Sequence, residues 1–267
     1  MPPLPSCPTD RRGHWTREAE NRQNDVMARS DTPPLPSSRK PKWLRARLAV
    51  TTRFGEVGDI LADGGLRTVC REARCPNRTE CWSAGTATFL LLGGRCTRGC
   101  GFCAVERGDP GGTRDAGEPA RVAEAASRMG LRHVVLTSVS RDDLPDGGAA
   151  VFAETIRAVR SSLPGASVEV LVPDYRGDPL DTLLSAAPEV FAHNLETVER
   201  LTPALRHPRF GYETSLAVLR EAKGLAPSVR TKSSLLLGLG ETSDEIAGTL
   251  EHMRGAGVEI VALGQYL

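Results

Sequence analysis

What this sequence lacks narrows it first. Its 34 basic and 33 acidic side chains leave a formal net charge of +1 and a pI near 7.6, so no overall field draws it to nucleic acid or to an acidic membrane surface. Aromatic residues make up 4% of the chain. The one basic stretch, Arg39 to Arg53, carries a single aromatic, Trp43, where a nucleic-acid footprint would interleave several. No apolar run approaches the ~20 residues that span a bilayer, and Met1 to Asp10 holds none of signal-peptide length. A basic transit peptide is interrupted by Glu18, Glu20, Asp25 and Asp31. Outside one window the only cysteine is Cys7, read as a free thiol of no consequence. These absences point to a soluble protein of a reducing cytoplasmic compartment, with an organellar matrix as the alternative, and with neither nucleic acid nor membrane as partner.

The other six cysteines lie between Cys70 and Cys103, where even scatter would place about one. They form two trios: Cys70, Cys75 and Cys81 as C-x4-C-x5-C, then Cys96, Cys100 and Cys103 as C-x3-C-x2-C. Three chemistries compete for them. Disulfides persist mainly in secreted proteins and staple short domains, unlike a chain of 267 residues. Structural zinc takes four ligands, usually as two closely spaced pairs, yet only Cys100 and Cys103 make such a pair and no histidine pair completes it. A trio without a fourth protein ligand suits an iron–sulfur cluster that leaves one iron for another partner. Iron–sulfur therefore leads and zinc stays open.

Residues 1–38 are Pro-rich and polar, and such a composition predicts a disordered tail. Residues 39–84 form an N-terminal extension carrying the first trio, opened by a helix with Trp43, Leu44 and Leu48 on its buried side. From residue 85 onward strand and helix alternate. Six apolar strands are expected: Thr88–Gly93, His133–Val139, Val168–Pro173, Glu189–Glu196, Thr231–Leu239 and Glu259–Tyr266. Between them, helical spacing shows at Val122, Ala125, Ala126 and Met129 behind Pro119, at Phe152, Ile156, Val159 and Leu163, at Leu180, Leu183 and Leu184, and at Leu216, Leu219 and Ala222. A last helix carries Ile246, Leu250 and Met253 behind a capping box of Thr242 and Glu245. Continuous apolar strands separated by helices imply an α/β fold with a parallel sheet, here a partial (β/α)6 TIM-like barrel with an N-terminal extension that carries an auxiliary cluster motif. Chemistry then belongs at the carboxyl ends of the strands, and Cys96, Cys100 and Cys103 follow the first of them.

C-x3-C-x2-C with Phe102 before its last cysteine, on that loop, resembles the radical S-adenosylmethionine enzymes. The runs Thr68–Trp82, Gly85–Val105, Thr137–Ala149, His193–Leu201, Thr231–Thr242 and Gly264–Leu267 resemble the lipoyl synthase family, and the likeness extends from about Lys42 to the last residue. The resemblance implies two 4Fe-4S clusters, one on each trio, and S-adenosyl-L-methionine chelated to the open iron of the second. It implies a sulfurtransferase that adds sulfur to carbons 6 and 8 of an octanoyl chain carried on a lysine, using a 5′-deoxyadenosyl radical and consuming the cluster on Cys70, Cys75 and Cys81. Implied partners are octanoylated lipoyl carrier domains (E2 subunits of 2-oxoacid dehydrogenases and the glycine cleavage H protein) and an electron donor. Other readings are a different radical enzyme, such as a methylthiotransferase, or a non-catalytic metal-binding remnant.

Around the cofactor, Phe102, Asn194 and Glu196 are the expected contacts; Asn194 and Glu196 either bond its ribose or methionine amine or pair inside the barrel mouth. Arg141, Asp142 and Asp143 are expected either near the site or in a loop ordered by internal ion pairs. Gly238, Gly240 and Glu241 either admit the cofactor to backbone or form a plain turn before the capped helix. His133 and His193 read as polar-core residues, and Lys232 as pointing into the barrel toward a carboxylate. The family pattern continues past strand six to an arginine–serine-rich end that supplies a fourth cluster ligand. The chain as given stops at Leu267, and Ala192 and Ser234 stand where the family usually has asparagine and glycine. The expectation is a truncated chain with impaired sulfur insertion and an uncovered outer face on strand six.

Overall fold

The computed structural model describes residues 51–266; the expected tail, Cys7 and the helix read around Trp43, Leu44 and Leu48 lie outside that range. A seven-stranded sheet runs in the order β1 (Arg67–Thr68), β2 (Thr88–Leu91), β5 (His133–Ser138), β6 (Ser167–Leu171), β7 (Val190–Ala192), β8 (Arg230–Leu237) and β9 (Ile260–Gln265). All neighbours are parallel except β1, which pairs antiparallel with β2. Two short parallel strands, β3 (Arg95–Cys96) and β4 (Glu106–Arg107), stand apart within the cysteine loop. Strands β2 and β5 to β9 are the six expected ones, and the sheet curls into a half-barrel. No described helix is long and apolar enough to cross a membrane.

The helices are α1 (Thr52–Asp63), α2 (Val69–Glu72), α3 (Arg78–Ser83), α4 (Glu118–Arg128), α5 (Ala149–Ser162), α6 (Asp178–Leu184), α7 (Thr202–Leu205), α8 (Tyr212–Leu225) and α9 (Ser243–Gly255). Local chemistry explains their starts. Pro119 fixes the first turn of α4. Asp146 accepts the N–H groups of Gly148 and Ala150 at 2.9 Å and so caps α5. Thr242 and Glu245 make the expected reciprocal capping box on α9. Gly148, at φ 92°, must be glycine, because a Cβ there would overlap Leu92.

Alternation along the strands sends one set of residues under the helices and the other into the barrel. Val134, Leu136, Val168 and Val170 are fully buried on the helix side and share a core with Phe152, Ile156 and Leu180. Val57, Leu61, Cys70 and Trp82 belong to that same core, so the cysteine-bearing extension packs on the barrel. On the inner side, Lys232 Nζ meets Glu169 Oε1 at 2.6 Å, as expected of a lysine aimed at a carboxylate. His133, expected in the polar core, is instead exposed at the start of β5, 3.5 Å from Glu169 and 2.6 Å from Ser167 Oγ. On β9, Val261 and Leu263 are 41% and 53% exposed.

Candidate active site at the carboxyl edge

The sheet's carboxyl edge carries two residues forced into the left-handed region without being glycine: Leu92 just after β2 and Glu196 just after β7, both at φ 67°. Such strain persists only where surroundings over-determine it, and it concentrates at functional sites. At Leu92 the surroundings are explicit. Its N–H donates to Glu118 Oε2 at 2.9 Å and its carbonyl accepts from Arg141 Nη1 at 3.0 Å. That pinned turn throws the chain out of the sheet and into the cysteine loop. At Glu196, backbone bonds to Ser234 and Leu236 of β8 do the same work, at 3.0 and 2.8 Å.

Cys96, Cys100 and Cys103 share this loop as free thiols. Ser140 N–H donates to Cys96 Sγ and His207 N–H to Cys100 Sγ, each at 3.4 Å. Burial pushes the Cys100 thiol up to about 11, against the opposing pull of the His207 N–H and the Arg206 charge. Cys103 lies exposed at the rim. Phe102 packs on Val198, Leu201 and Leu205, and Gly101 N–H donates to Leu205 O at 2.8 Å. The loop is therefore docked on α7.

A network of charge fixes the loop from the other side. Arg98, within C-x3-C, pairs with Asp142 at 2.7 Å and Asp174 at 2.6 Å and lies 4.3 Å over the Phe210 ring. Arg206 lies over Phe210 at 4.4 Å and donates to Leu195 O and Ser215 Oγ. Arg141 pairs with Asp143 at 2.7 Å, so of the expected trio Asp142 alone reaches the cysteine loop. Asn194 Nδ2 donates to Glu196 Oε1 at 3.1 Å, and burial raises the Glu196 carboxyl above its usual range despite the nearby Arg206 charge. Glu241 accepts the N–H groups of Gly238 and Leu239; it closes the plain turn before α9. His193 is buried and held near pH 4 by burial, bonded to Val172 O and Ser215 Oγ at 2.9 Å each, a polar-core residue.

Sequence reasoning passed over Arg98, Asp174, Arg206 and Phe210. Asp174 had a usable signal, since it follows the third expected strand at its carboxyl end. Arg206 and Phe210 follow a 3-10 turn (Glu199–Leu201) and α7, short elements with no periodicity to read.

The first trio sits elsewhere. Cys70 and Cys81 line a cavity of about 480 Å³ with Thr86, Thr88, His133 and Val135, at the amino ends of β2 and β5. Burial raises the Cys81 thiol, and its neighbours Cys70 and Cys75 add to the effect. Among the described residues, no three His, Cys, Asp or Glu side chains converge where a single metal ion would be held.

Residues 90–253 match the model of the Radical SAM superfamily. Among solved structures the chain resembles methylornithine synthase (PylB) at TM-score 0.55 and 16% identity, covering 92% of this chain and 68% of that one. The hydrogenase maturase HydG from Carboxydothermus hydrogenoformans gives TM-score 0.55 and 18% identity, with 66% and 44% covered. At such identities the likeness concerns the fold. The chain belongs to the radical S-adenosylmethionine superfamily, with the half-barrel and cysteine loop of that class. Within it, the lipoyl synthase of Thermus thermophilus is 55% identical over 230 residues, 85% of this chain and 71% of that protein. Those of Symbiobacterium thermophilum and Pyrobaculum arsenaticum are each 52% identical, over 89% and 85% of this chain and 76% and 77% of their own lengths. The chain is a member of the lipoyl synthase family.

Membership implies a 4Fe-4S cluster and S-adenosylmethionine, and the carboxyl-edge residues fit both. Three unlinked thiols share one loop, two of them already receiving backbone N–H groups, as cluster sulfurs commonly do. Arg206, whose charge acts on Cys100, and Thr197, after β7, have buried polar atoms without a hydrogen-bond partner, Nε and Oγ1. Buried polar groups are seldom left so, and a polar ligand at the end of β7 would satisfy them.

Proposed function

We propose that this chain is a lipoyl synthase, adding sulfur to carbons 6 and 8 of an octanoyl chain amide-linked to a lysine of a carrier domain. The observation that carries this reading is the Cys96–Cys100–Cys103 loop, pinned at the carboxyl edge of the half-barrel, in a chain 55% identical to a lipoyl synthase. A 4Fe-4S cluster there, with S-adenosylmethionine, supplies a 5′-deoxyadenosyl radical able to take hydrogen from unactivated carbons. The protein's share is placement. Cys96, Cys100 and Cys103 hold three irons. Asn194 and Glu196 bond the amine or ribose of S-adenosylmethionine, and Phe102 borders it while anchoring the loop on α7. Thr197 and Arg206 offer their unpartnered atoms to the same ligand. Cys70, Cys75 and Cys81 hold a second 4Fe-4S cluster, the sulfur source, and Thr86 orders that trio by donating to Cys81 O at 3.0 Å. The partners are octanoylated E2 lipoyl domains or H protein and a one-electron donor, in the cytoplasm, with no role for nucleic acid or membrane.

The test is deuterium transfer. With the chain reconstituted anaerobically and given a carrier bearing a perdeuterated octanoyl group, 5′-deoxyadenosine should acquire deuterium and the carrier should gain sulfur. Cofactor cleavage that never takes deuterium from the octanoyl chain refutes the substrate assignment. That step is independent of the sulfur source.

A further inference from the structure

The corner after α7 touches the cysteine loop three times. Leu205 O accepts the Gly101 N–H at 2.8 Å, His207 N–H donates to Cys100 Sγ at 3.4 Å, and Phe102 packs on Leu205. Between Leu205 and His207 stands Arg206, 3% exposed. Its hydrogen bonds go to neutral groups, Leu195 O at 3.3 Å and Ser215 Oγ at 2.8 Å. Arg98, on the opposite side of the Phe210 ring, is instead paired with two carboxylates. Arg206 is thus a buried cation that hydrogen-bonds to no carboxylate, and its charge acts on Cys100. Glu196 is the neighbour of Leu195, whose carbonyl Arg206 bonds at 3.3 Å, and from that position its carboxylate, where ionised, opposes the Arg206 charge.

We propose that Arg206 and Glu196 form an opposed charge pair that sets the reduction potential of the cluster held by Cys96, Cys100 and Cys103. Reduction adds one electron to the cluster and hence one negative charge. A buried guanidinium beside it stabilises the reduced state and raises the potential, and a carboxylate lowers it. Because the Arg206 guanidinium is buried, its charge acts at short range with little screening. This effect of Arg206 runs through its charge on the cluster and is separate from the bond its Nε offers to S-adenosylmethionine, and the potentials are therefore read without that ligand. The inference rests on the iron–sulfur reading of the loop but not on the identity of the substrate.

The experiment is a potentiometric titration followed by electron paramagnetic resonance, on full-length protein reconstituted anaerobically. The loop cluster is identified by the change in its signal when S-adenosylmethionine is added, and potentials are compared without that ligand. Arg206→Gln should shift the midpoint to more negative values and Glu196→Gln to more positive ones. Arg206→Lys, which keeps the charge, and Ser215→Ala, which removes a hydrogen-bond partner of Arg206 and no charge, should stay near wild type. Iron content should be unchanged in all four. If Arg206→Gln does not fold, the upward shift in Glu196→Gln still tests the pair. Shifts of one sign in both glutamine variants, or none in Glu196→Gln, overturn the proposal. A wild-type chain that takes up no cluster refutes the functional reading instead.

Discussion

Arg98 holds Asp142 through two contacts, Nη2 to Oδ1 at 2.7 Å and Nε to Oδ2 at 2.9 Å, and so ties the loop between Cys96 and Cys100 to the end of β5. The pairing draws the Asp142 carboxyl down to about 2, burial opposing and the Arg98 hydrogen bonds and charge prevailing. With its side chain 9% exposed and a second carboxylate on Asp174, Arg98 is close to a buried ion pair. Removing one partner of such a pair costs about 3–5 kcal/mol at full burial, and the half-open Asp142 places the cost at the lower end. Arg98→Ala is expected to lower the chemical-denaturation midpoint and to slow iron uptake by the loop. Asp142→Asn should do the same more mildly, because Asp174 remains. Unchanged iron uptake in Arg98→Ala would show that the loop is held without this clamp.

His193 gives a pH dependence. Arg206 donates to Ser215 Oγ, which leaves the Ser215 hydroxyl free to donate to His193 Nε2, while His193 Nδ1–H faces the carbonyls of Val172 and Pro173. Only a neutral imidazole satisfies both ends. Burial holds its pKa near 4, below the ordinary 6.5. Between those values the unfolded chain binds a proton that the folded chain refuses. Stability is therefore full above pH 6.5 and falls as pH drops toward 4, by about 3 kcal/mol from this group. Urea midpoints of the apo-protein, taken from about pH 7.5 to about pH 5, should fall less steeply in His193→Gln than in wild type. Equal slopes would mean that the ring is protonated in the fold.

The six strands and the cysteine positions were legible because each has a signal that neighbours in sequence carry alone. A run such as TFLLLG declares a buried strand, and six cysteines in so short a span call for a shared chemical role. The expected strand Glu189–Glu196 proved shorter, with regular pairing ending at Ala192. The backbone must turn through the strained Glu196, and only the β8 partner shows why. β1 was invisible, since two residues, Arg67 and Thr68, show no periodicity and pair only by virtue of β2. The clamp residues escaped for the same reason. Arg98, Asp174 and Phe210 are far apart in sequence, and their meaning lies in contacts that only the folded half-barrel creates.

Lys232 and Glu169 test the barrel interior. The Glu169 side chain is 10% exposed and Lys232 27%, and Lys232→Met would leave the carboxylate with His133 alone, 3.5 Å away. A loss of about 2 kcal/mol is expected, below the full cost of breaking a buried pair because the lysine is partly wet. Glu169→Gln combined with Lys232→Met removes both charges and should recover part of that loss, a coupling that a double-mutant cycle reads directly. Additive losses would mean that the two side chains do not interact.

The two trios are separable by iron. If each holds a 4Fe-4S cluster, anaerobically reconstituted wild type carries about eight irons per chain, and serine in place of all three cysteines of either trio leaves about four. The two triple variants should differ in chemistry. Without Cys96, Cys100 and Cys103, the loop on which the Arg206 charge acts, S-adenosylmethionine should not be cleaved at all. Without Cys70, Cys75 and Cys81, at the other end of β2, cleavage and deuterium transfer should continue while sulfur transfer stops. Sulfur transfer at the wild-type level in that second variant would remove the first trio from the reaction and leave its cavity a structural feature.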